Sequence, residues 1–279
     1  MRYGIFVDSS CDLKDLNSDD IAYARVPLNL DVGEKVFVDN NDLDVSIFMN
    51  EMEAYTGKTG SSAPSPHDWL ENYEKCDCIF VITISSALSG SYSSALVAKD
   101  MLLEEYPDKK IEIIDSKATG PKMTLVADYI KECIIAGQGF EEIVKNANDY
   151  TTNKTKLLFI LESMENLVKN GRVSRLKGGI SKILGIKVLG IASPEGTISL
   201  VTTARGKLAI YAKTVEEMIA QAYNGGKVII TNCFNEEKAL HLKNLILEKF
   251  PDANISIMPT GGLCSYYAER GGLLIGFEV

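Results

Sequence analysis

At 279 residues the chain is long for one hydrophobic core and comfortable for two, so two domains are expected. With 46% apolar and 24% charged residues it is ordinary globular material, which excludes a disordered or fibrous chain. The net charge of −9 argues against a nucleic-acid partner, because phosphate recognition needs a basic face.

The start, MRYGIFVDSS, has five uncharged residues, Tyr3 to Val7, before Asp8, too few for the apolar region of a signal peptide. No apolar run approaches the ~18 residues a membrane helix needs. A cytoplasmic location without membrane insertion is expected. MRYGIFV itself reads as a strand leading into the turn DSSCDL, where Asp8, Ser9 and Ser10 are cap-type residues. Ile21 to Val32 and Glu34 to Val38 read as extended segments about a turn at Gly33. Helices are expected over Ser46 to Tyr55 and Ser65 to Tyr73, the second with Pro66 at its first helical position. CIFVITI is a continuous apolar strand of the kind buried on both faces of a parallel sheet. After a serine-rich turn, Tyr92, Ala95, Leu96, Leu103 and Tyr106 recur at helical spacing. IEIID (111–115) is the next strand and Lys122 to Ala136 the next helix.

The polar, threonine-rich stretch NDYTTNKTK (148–156) is the candidate domain boundary. Beyond it LLFIL (157–161) reads as a strand, and SMENLVKNGRVSRLKGGISKIL as short helices broken by Gly171, Gly178 and Gly179. IKVLGIASPEGTISLV reads as a hairpin about SPEGT. A helix from about Lys207 to Tyr223, the strand KVIITNCF, a helix from Glu236 to Lys249, the strand ISIMPT and a last apolar strand complete the chain. The fold class is therefore α/β in two domains: residues 1–152 with a mostly parallel sheet flanked by helices, and residues 153–279 with a mixed sheet and helices.

Several chemistries fail on spacing. Gly57-Lys58-Thr59 is the tail of a phosphate-binding loop, but the glycine required five residues before Gly57 is Met52, so GKT reads as a surface turn. The dinucleotide spacing G-x-G-x-x-G is missing from every strand-to-helix junction. Neither His67 nor His241 sits in a motif that would serve a serine nucleophile, so no catalytic residue is assigned. Of six cysteines only Cys76 and Cys78 are close, and with two histidines no metal site is expected. Buried free thiols in a reducing compartment are expected instead.

The junction TISSALSGSYSSA (83–95) is different. Ser89 and Gly90 fall at the expected helix start, where unpaired N–H groups and the positive end of the helix dipole face outward. Two readings fit, a plain N-cap with a solvated turn or an anion site. A second hydroxyl cluster, Ser61-Ser62-Ala63-Pro64-Ser65, adds neutral donors, and without a phosphate-binding lysine motif the two clusters suit a single carboxylate better than a triphosphate. In NGRVSR (170–175), Gly171 breaks a helix and leaves Arg172 on a loop, either as a surface cation at a helix end or as a bidentate partner for carboxylate or phosphate. Arg205 and Lys207 form a second basic point at a helix start, where the dipole disfavours cations and a partner is hinted.

Together these segments resemble the DegV family of bacterial fatty-acid-binding proteins, along nearly the whole chain and in order. VDSSCDL resembles the family's D-S-[ST]-x-D-L opening, GSSAPSP its T-S-Q-P-S-P segment, TISSALSGSYSSA its S-S-x-L-S-G-T-Y-x-S-A motif, and NGRVS its G-G-R-I-S. The tail matches the spacing of the closing G-x-x-x-x-x-H-x-G-x-G-x-x-G-I. The resemblance implies one long-chain fatty acid in an apolar tunnel between the domains and no other cofactor. It implies a carboxylate held by Ser61 and by Ser89 with Gly90, and Ser62 is an additional candidate. It further implies a non-catalytic binding subunit, similar to that of bacterial fatty acid kinase, that presents the carboxylate to a separate ATP-dependent kinase for acyl-phosphate formation in phospholipid synthesis. Arg172, and with it Arg205, would contact that kinase. The chain departs from the pattern at TGPKM, which lacks spaced glycines, in TTARGKLA, and at Tyr267, which replaces the family's histidine. A phenol can still donate a hydrogen bond to the carboxylate but stays neutral near pH 7. The other readings to weigh are an enzyme acting on a small carboxylated or phosphorylated metabolite in the interdomain cleft, and a lipid sensor independent of any kinase.

Overall fold

The computed structural model describes residues 2–173, 186–206 and 208–279. Lys207, and the part of the broken-helix segment about Gly178 and Gly179, lie outside the described residues.

Strands β1 (Tyr3–Asp8) and β2 (Ile21–Val26) pair in parallel. Pro27, with no N–H to give a ladder, ends β2, and the chain crosses to a different sheet. There β3 (Asn29–Val32) and β4 (Lys35–Val38) form a hairpin. Helix α1 (Val45–Ala54) follows, its first amides bound by the Asp44 carboxylate. Strand β5 (Thr59–Ser62) then pairs antiparallel with β3. Helix α2 (Pro66–Tyr73) opens on a reciprocal capping box between Ser65 and Asp68. The parallel layer resumes with β6 (Cys78–Thr83), α3 (Ser91–Glu105) and β7 (Lys110–Asp115), giving the strand order β2-β1-β6-β7. Helices α4 (Pro121–Ile135) and α5 (Phe140–Asp149) close this half.

The second half begins at β8 (Thr155–Leu161) and α6 (Glu165–Lys169). The hairpin β9 (Ile186–Ala192) and β10 (Ile198–Arg205) follows, then α7 (Ala209–Ala220), β11 (Val228–Asn232) and α8 (Glu236–Lys249). The chain ends in β12 (Ile255–Pro259), α9 (Gly262–Ala268) and β13 (Leu273–Glu278). Their sheet runs β10-β9-β8-β13-β11-β12, with β11 and β12 parallel and the other neighbours antiparallel. The chain is thus two α/β domains, one sheet parallel and one mixed.

Two elements depart from the sequence expectation. The extended run Ile21 to Val32 is two strands in two sheets, divided at Pro27. GKT is not wholly a surface turn, because Thr59 is buried at the start of β5. The candidate boundary stretch 148–156 carries a five-residue π turn, Tyr150–Lys154, in which Tyr150 and Thr151 are buried. Tyr150 stacks on Tyr129 with ring centroids 4.1 Å apart and donates to Glu278 Oε1 at 2.6 Å. The 152/153 division falls inside that turn.

Helix α4 is apolar on most of its circumference because it packs against both large sheets, meeting β1 and β6 on one and β8, β11 and β13 on the other. The small sheet β4-β3-β5 and α1 share a core with α9 and β8, so this part of the first half packs on the second. Among the described residues no helix is long and apolar enough to cross a membrane. All six cysteines are buried free thiols, and burial pushes Cys11 and Cys233 up to about 11, which keeps both protonated.

Candidate functional site

The chain from β1 to β7 converges on the junction after β6. Asp8, at the end of β1, is buried and accepts hydrogen bonds from Ile84 N (2.8 Å), Ser91 Oγ (2.6 Å), Ser10 N (3.2 Å) and the Ser10 hydroxyl. Burial pushes its carboxyl up, opposed by these donors. One carboxylate therefore fixes the ends of β1 and β6 and the first residue of α3. The serine surplus is largely consumed in the same way. Ser85 Oγ donates to Gly196 O at 2.7 Å, Ser86 is bonded to Asp115, and Ser94 Oγ donates to Pro64 O at 2.6 Å. Gly90 is the N-cap of the fifteen-residue α3 with no side-chain cap, and its amide has no hydrogen-bond acceptor among the described residues. Ser89 Oγ, half-buried beside it, accepts the Ser91 amide at 3.3 Å and has no other hydrogen bond among the described residues. The helix start thus keeps donor capacity and positive potential facing outward.

Helix α9 approaches from the second half, held by carboxylates of the first. Asp39 accepts from Gly262 N at 3.0 Å and Leu263 N at 2.9 Å, and Asp12 Oδ1 accepts from Gly261 N at 2.7 Å. Arg25, buried beside them, lies 3.8 Å from Asp39 and donates to Ser9 O, Cys11 O and Asn41 Oδ1. Burial pushes Asp39 up, with Arg25 pulling it back. Anchored this way, α9 presents Tyr267, whose hydroxyl lies 3.0 Å from Ser61 Oγ on β5. Strand alternation turns Ser61 inward, while the additional candidate Ser62 is exposed and is not among the residues that line the cavity.

Ser61, Ser89, Gly90 and Tyr267 share the wall of one cavity with Arg172. The cavity spans about 960 Å³ of empty space, open solvent at its mouth included. Its other walls are chiefly apolar, from Leu28, Leu157, Phe159, Leu161, Leu263 and Leu274, and so come from both halves of the chain. Gly171, at φ +68°, turns the chain after α6 and brings Arg172 to the cavity, where its Nη1 donates to Asn170 O at 3.4 Å. Arg205 instead lies exposed at the end of β10, outside this wall. His67 is exposed, and His241 packs edge-on to Tyr211. The tip of the β9–β10 hairpin covers the cavity from the side, with Gly196 and Thr197 in the wall and the Ser85 bond tying it to the first half.

The sequence reading gave no site role to Tyr266, Thr59 and Asn170, which form a bonded set outside the cavity wall, the first two buried and Asn170 half-buried. Tyr266 OH lies 2.7 Å from Thr59 Oγ1 and accepts from Asn170 Nδ2 at 2.8 Å. No motif signals them, because their partners are remote in sequence. Nor did it single out Asp39, whose role depends on a helix more than two hundred residues away.

The two α/β domains thus enclose an apolar cavity with a hydroxyl-lined polar end at a helix start, a shape and polarity suited to an amphiphile. The chain belongs to the DegV family: residues 2–278 match the family model described as "Uncharacterised protein, DegV family". It is 41% identical over 281 residues to a DegV domain-containing protein of Streptococcus gordonii, with all of both chains covered. Its fold is similar to that of the Streptococcus pneumoniae Fatty Acid Kinase (Fak) B3 protein loaded with linoleic acid, at TM-score 0.97 and 40% identity over 100% of both chains. It is likewise similar to a DegV family protein from Eubacterium eligens loaded with heptadecanoic acid, at TM-score 0.94 and 35% identity over 99% of both chains.

Proposed function

We propose that this chain binds one long-chain fatty acid in the cavity between its two domains and presents the carboxylate to a separate ATP-dependent fatty acid kinase. The observation that carries the reading is the Ser61–Tyr267 hydroxyl pair, 3.0 Å apart, at the polar end of an otherwise apolar cavity. An acyl chain of about sixteen carbons gains about 12 kcal/mol on leaving water at ~0.8 kcal/mol per CH2, before the costs of binding. Its carboxylate needs several donors when buried. Ser61, Tyr267, Ser89 and the Gly90 amide supply them without adding charge, and the Arg172 guanidinium supplies a cation beside them. Relatives of 40% and 35% identity loaded with linoleic and heptadecanoic acid support the same ligand class here. The likeness to the Fatty Acid Kinase B3 protein supports the kinase partnership, with Arg172 beside the carboxylate as the group best placed to take part in transfer.

A small-metabolite enzyme in the same cleft would need a general base. The described residues lining the cavity supply hydroxyls, a thiol and a guanidinium, and no carboxylate or histidine. The test of the binding reading is denaturing extraction of the purified protein followed by lipid mass spectrometry. About one acyl chain per protein is expected; protein that carries none and takes up none when offered linoleic acid refutes it. The kinase half is tested by adding the ATP-dependent kinase subunit and following acyl-phosphate formation. Kinase-dependent product supports presentation, whereas turnover by this chain alone overturns it in favour of the enzyme.

A further inference from the structure

We propose that Tyr266 is a positioning residue for Arg172, acting through Asn170 to hold the guanidinium against the Ser61–Tyr267 pair. The inference rests on the carboxylate-binding reading above.

Tyr266 is fully buried, its ring edge-on to Tyr267 with centroids 4.8 Å apart. Its hydroxyl accepts from Asn170 Nδ2 and lies 2.7 Å from Thr59 Oγ1. Asn170 Nδ2 gives its other proton to Asn166 O at 2.9 Å, and Asn166 Nδ2 donates to Tyr266 O at 2.8 Å, closing a ring of bonds between α6 and α9. Both protons of the Asn170 amide are therefore committed, which fixes this residue at the end of α6. Its carbonyl is the acceptor that holds Arg172 Nη1.

The outer and inner sets run in step along the chain. Thr59 is two residues from Ser61, Tyr266 adjoins Tyr267, and Asn170 is two residues from Arg172. The first member of each pair lies outside the cavity wall and the second lines it. The outer set thus fastens the three segments from which the polar end is built. Removing the Tyr266 hydroxyl takes away an acceptor from Asn170 while leaving every lining side chain in place. The Asn170 side chain then keeps only its bond to Asn166 O, so the turn whose carbonyl accepts from Arg172 Nη1 is held less firmly and the guanidinium loses its aim.

The test compares the binding of linoleic acid with that of linoleyl alcohol, which has the same tail and no charge, by competition against a fluorescent fatty acid. Native protein is expected to prefer the acid. Arg172→Gln should lower that preference roughly tenfold, the scale of one charge-assisted hydrogen bond. Tyr266→Phe should lower it at least about threefold with alcohol affinity unchanged, and Asn170→Ala should do the same. In the Arg172→Gln background Tyr266→Phe should have no further effect, because both act through one group. A native acid preference in Tyr266→Phe overturns the inference alone, as do effects of the two variants that multiply, or equal losses of acid and alcohol. Native protein that binds neither ligand, or shows no preference between them, overturns the carboxylate-binding reading and this inference with it.

Discussion

Replacing Asp12 by asparagine should change how stability depends on pH, by an amount set by the carboxyl's surroundings. Asp12 is 4% exposed; Oδ1 accepts the Gly261 amide, and Oδ2 has no hydrogen-bond partner among the described residues. Burial, opposed by the Gly261 amide and by the Arg25 charge, pushes it from 3.8 up to about 6. The folded chain therefore holds this proton more tightly than the unfolded chain does. The sign follows: as pH rises between 3.8 and about 6 the unfolded state loses its proton first, and folding stability falls. At about 1.4 kcal/mol per pH unit the ionised group costs about 3 kcal/mol above pH 6. Asp12→Asn keeps an oxygen for the Gly261 amide and removes the titration, while Arg25 retains Asp39 and its three other acceptors. Urea unfolding of both proteins, followed by circular dichroism from about pH 3.5 to 7.5, gives the difference directly. The variant should gain about 3 kcal/mol on the native protein across this window and hold it above pH 6. A difference that stays flat between pH 4 and 6, or that moves against the variant, refutes the reasoning.

Ser61→Ala and Tyr267→Phe should each weaken linoleic acid binding by roughly ten- to a hundredfold, the worth of a hydrogen bond to a charged group, and shift the melting temperature little. Titration calorimetry checks both, and unchanged affinity would remove the pair from the carboxylate site. Gly190→Ala should narrow the cavity, because a methyl there collides with the Phe159 ring that lies across the glycine in the neighbouring strand and lines the cavity. Long acyl chains should lose more affinity than short ones in a competition series, and a uniform loss would count against a wall role for Phe159. Gly120→Ala should destabilise by more than about 1 kcal/mol, since the backbone is at φ +55° and the new methyl would sit 3.1 Å from Asp12 Oδ2. A thermal melt matching the native protein would refute that.

Much of the fold is legible in the sequence because it is written in local patterns. The continuous apolar run of β6 needs burial on both faces, Pro66 and Ser65 mark the start of α2, and the run of helices and strands from 78 to 136 has the rhythm of a parallel layer. The places where reading fails are those where local pattern and tertiary packing part. NDYTTNKTK is polar and without apolar periodicity, but Tyr129 and Glu278 give Tyr150 partners no window of sequence contains. β5 has too few residues and too much serine and glycine to announce a strand, and forms because β3 is beside it.

The site divides in the same way. By itself the sequence determined the donor chemistry: hydroxyls and an uncapped glycine at a helix start, a second hydroxyl cluster, and an arginine after a helix-breaking glycine. These are properties of residue type and spacing, which hold before the chain is folded. Only the tertiary structure decided which of them meet. It turned Ser61 inward and Ser62 outward, set Tyr267 against Ser61 across about two hundred residues, put Arg172 on the cavity wall and left Arg205 off it. Those choices depend on strand register and on how α9 is fastened by Asp12 and Asp39, interactions between segments far apart in the chain that no local pattern encodes.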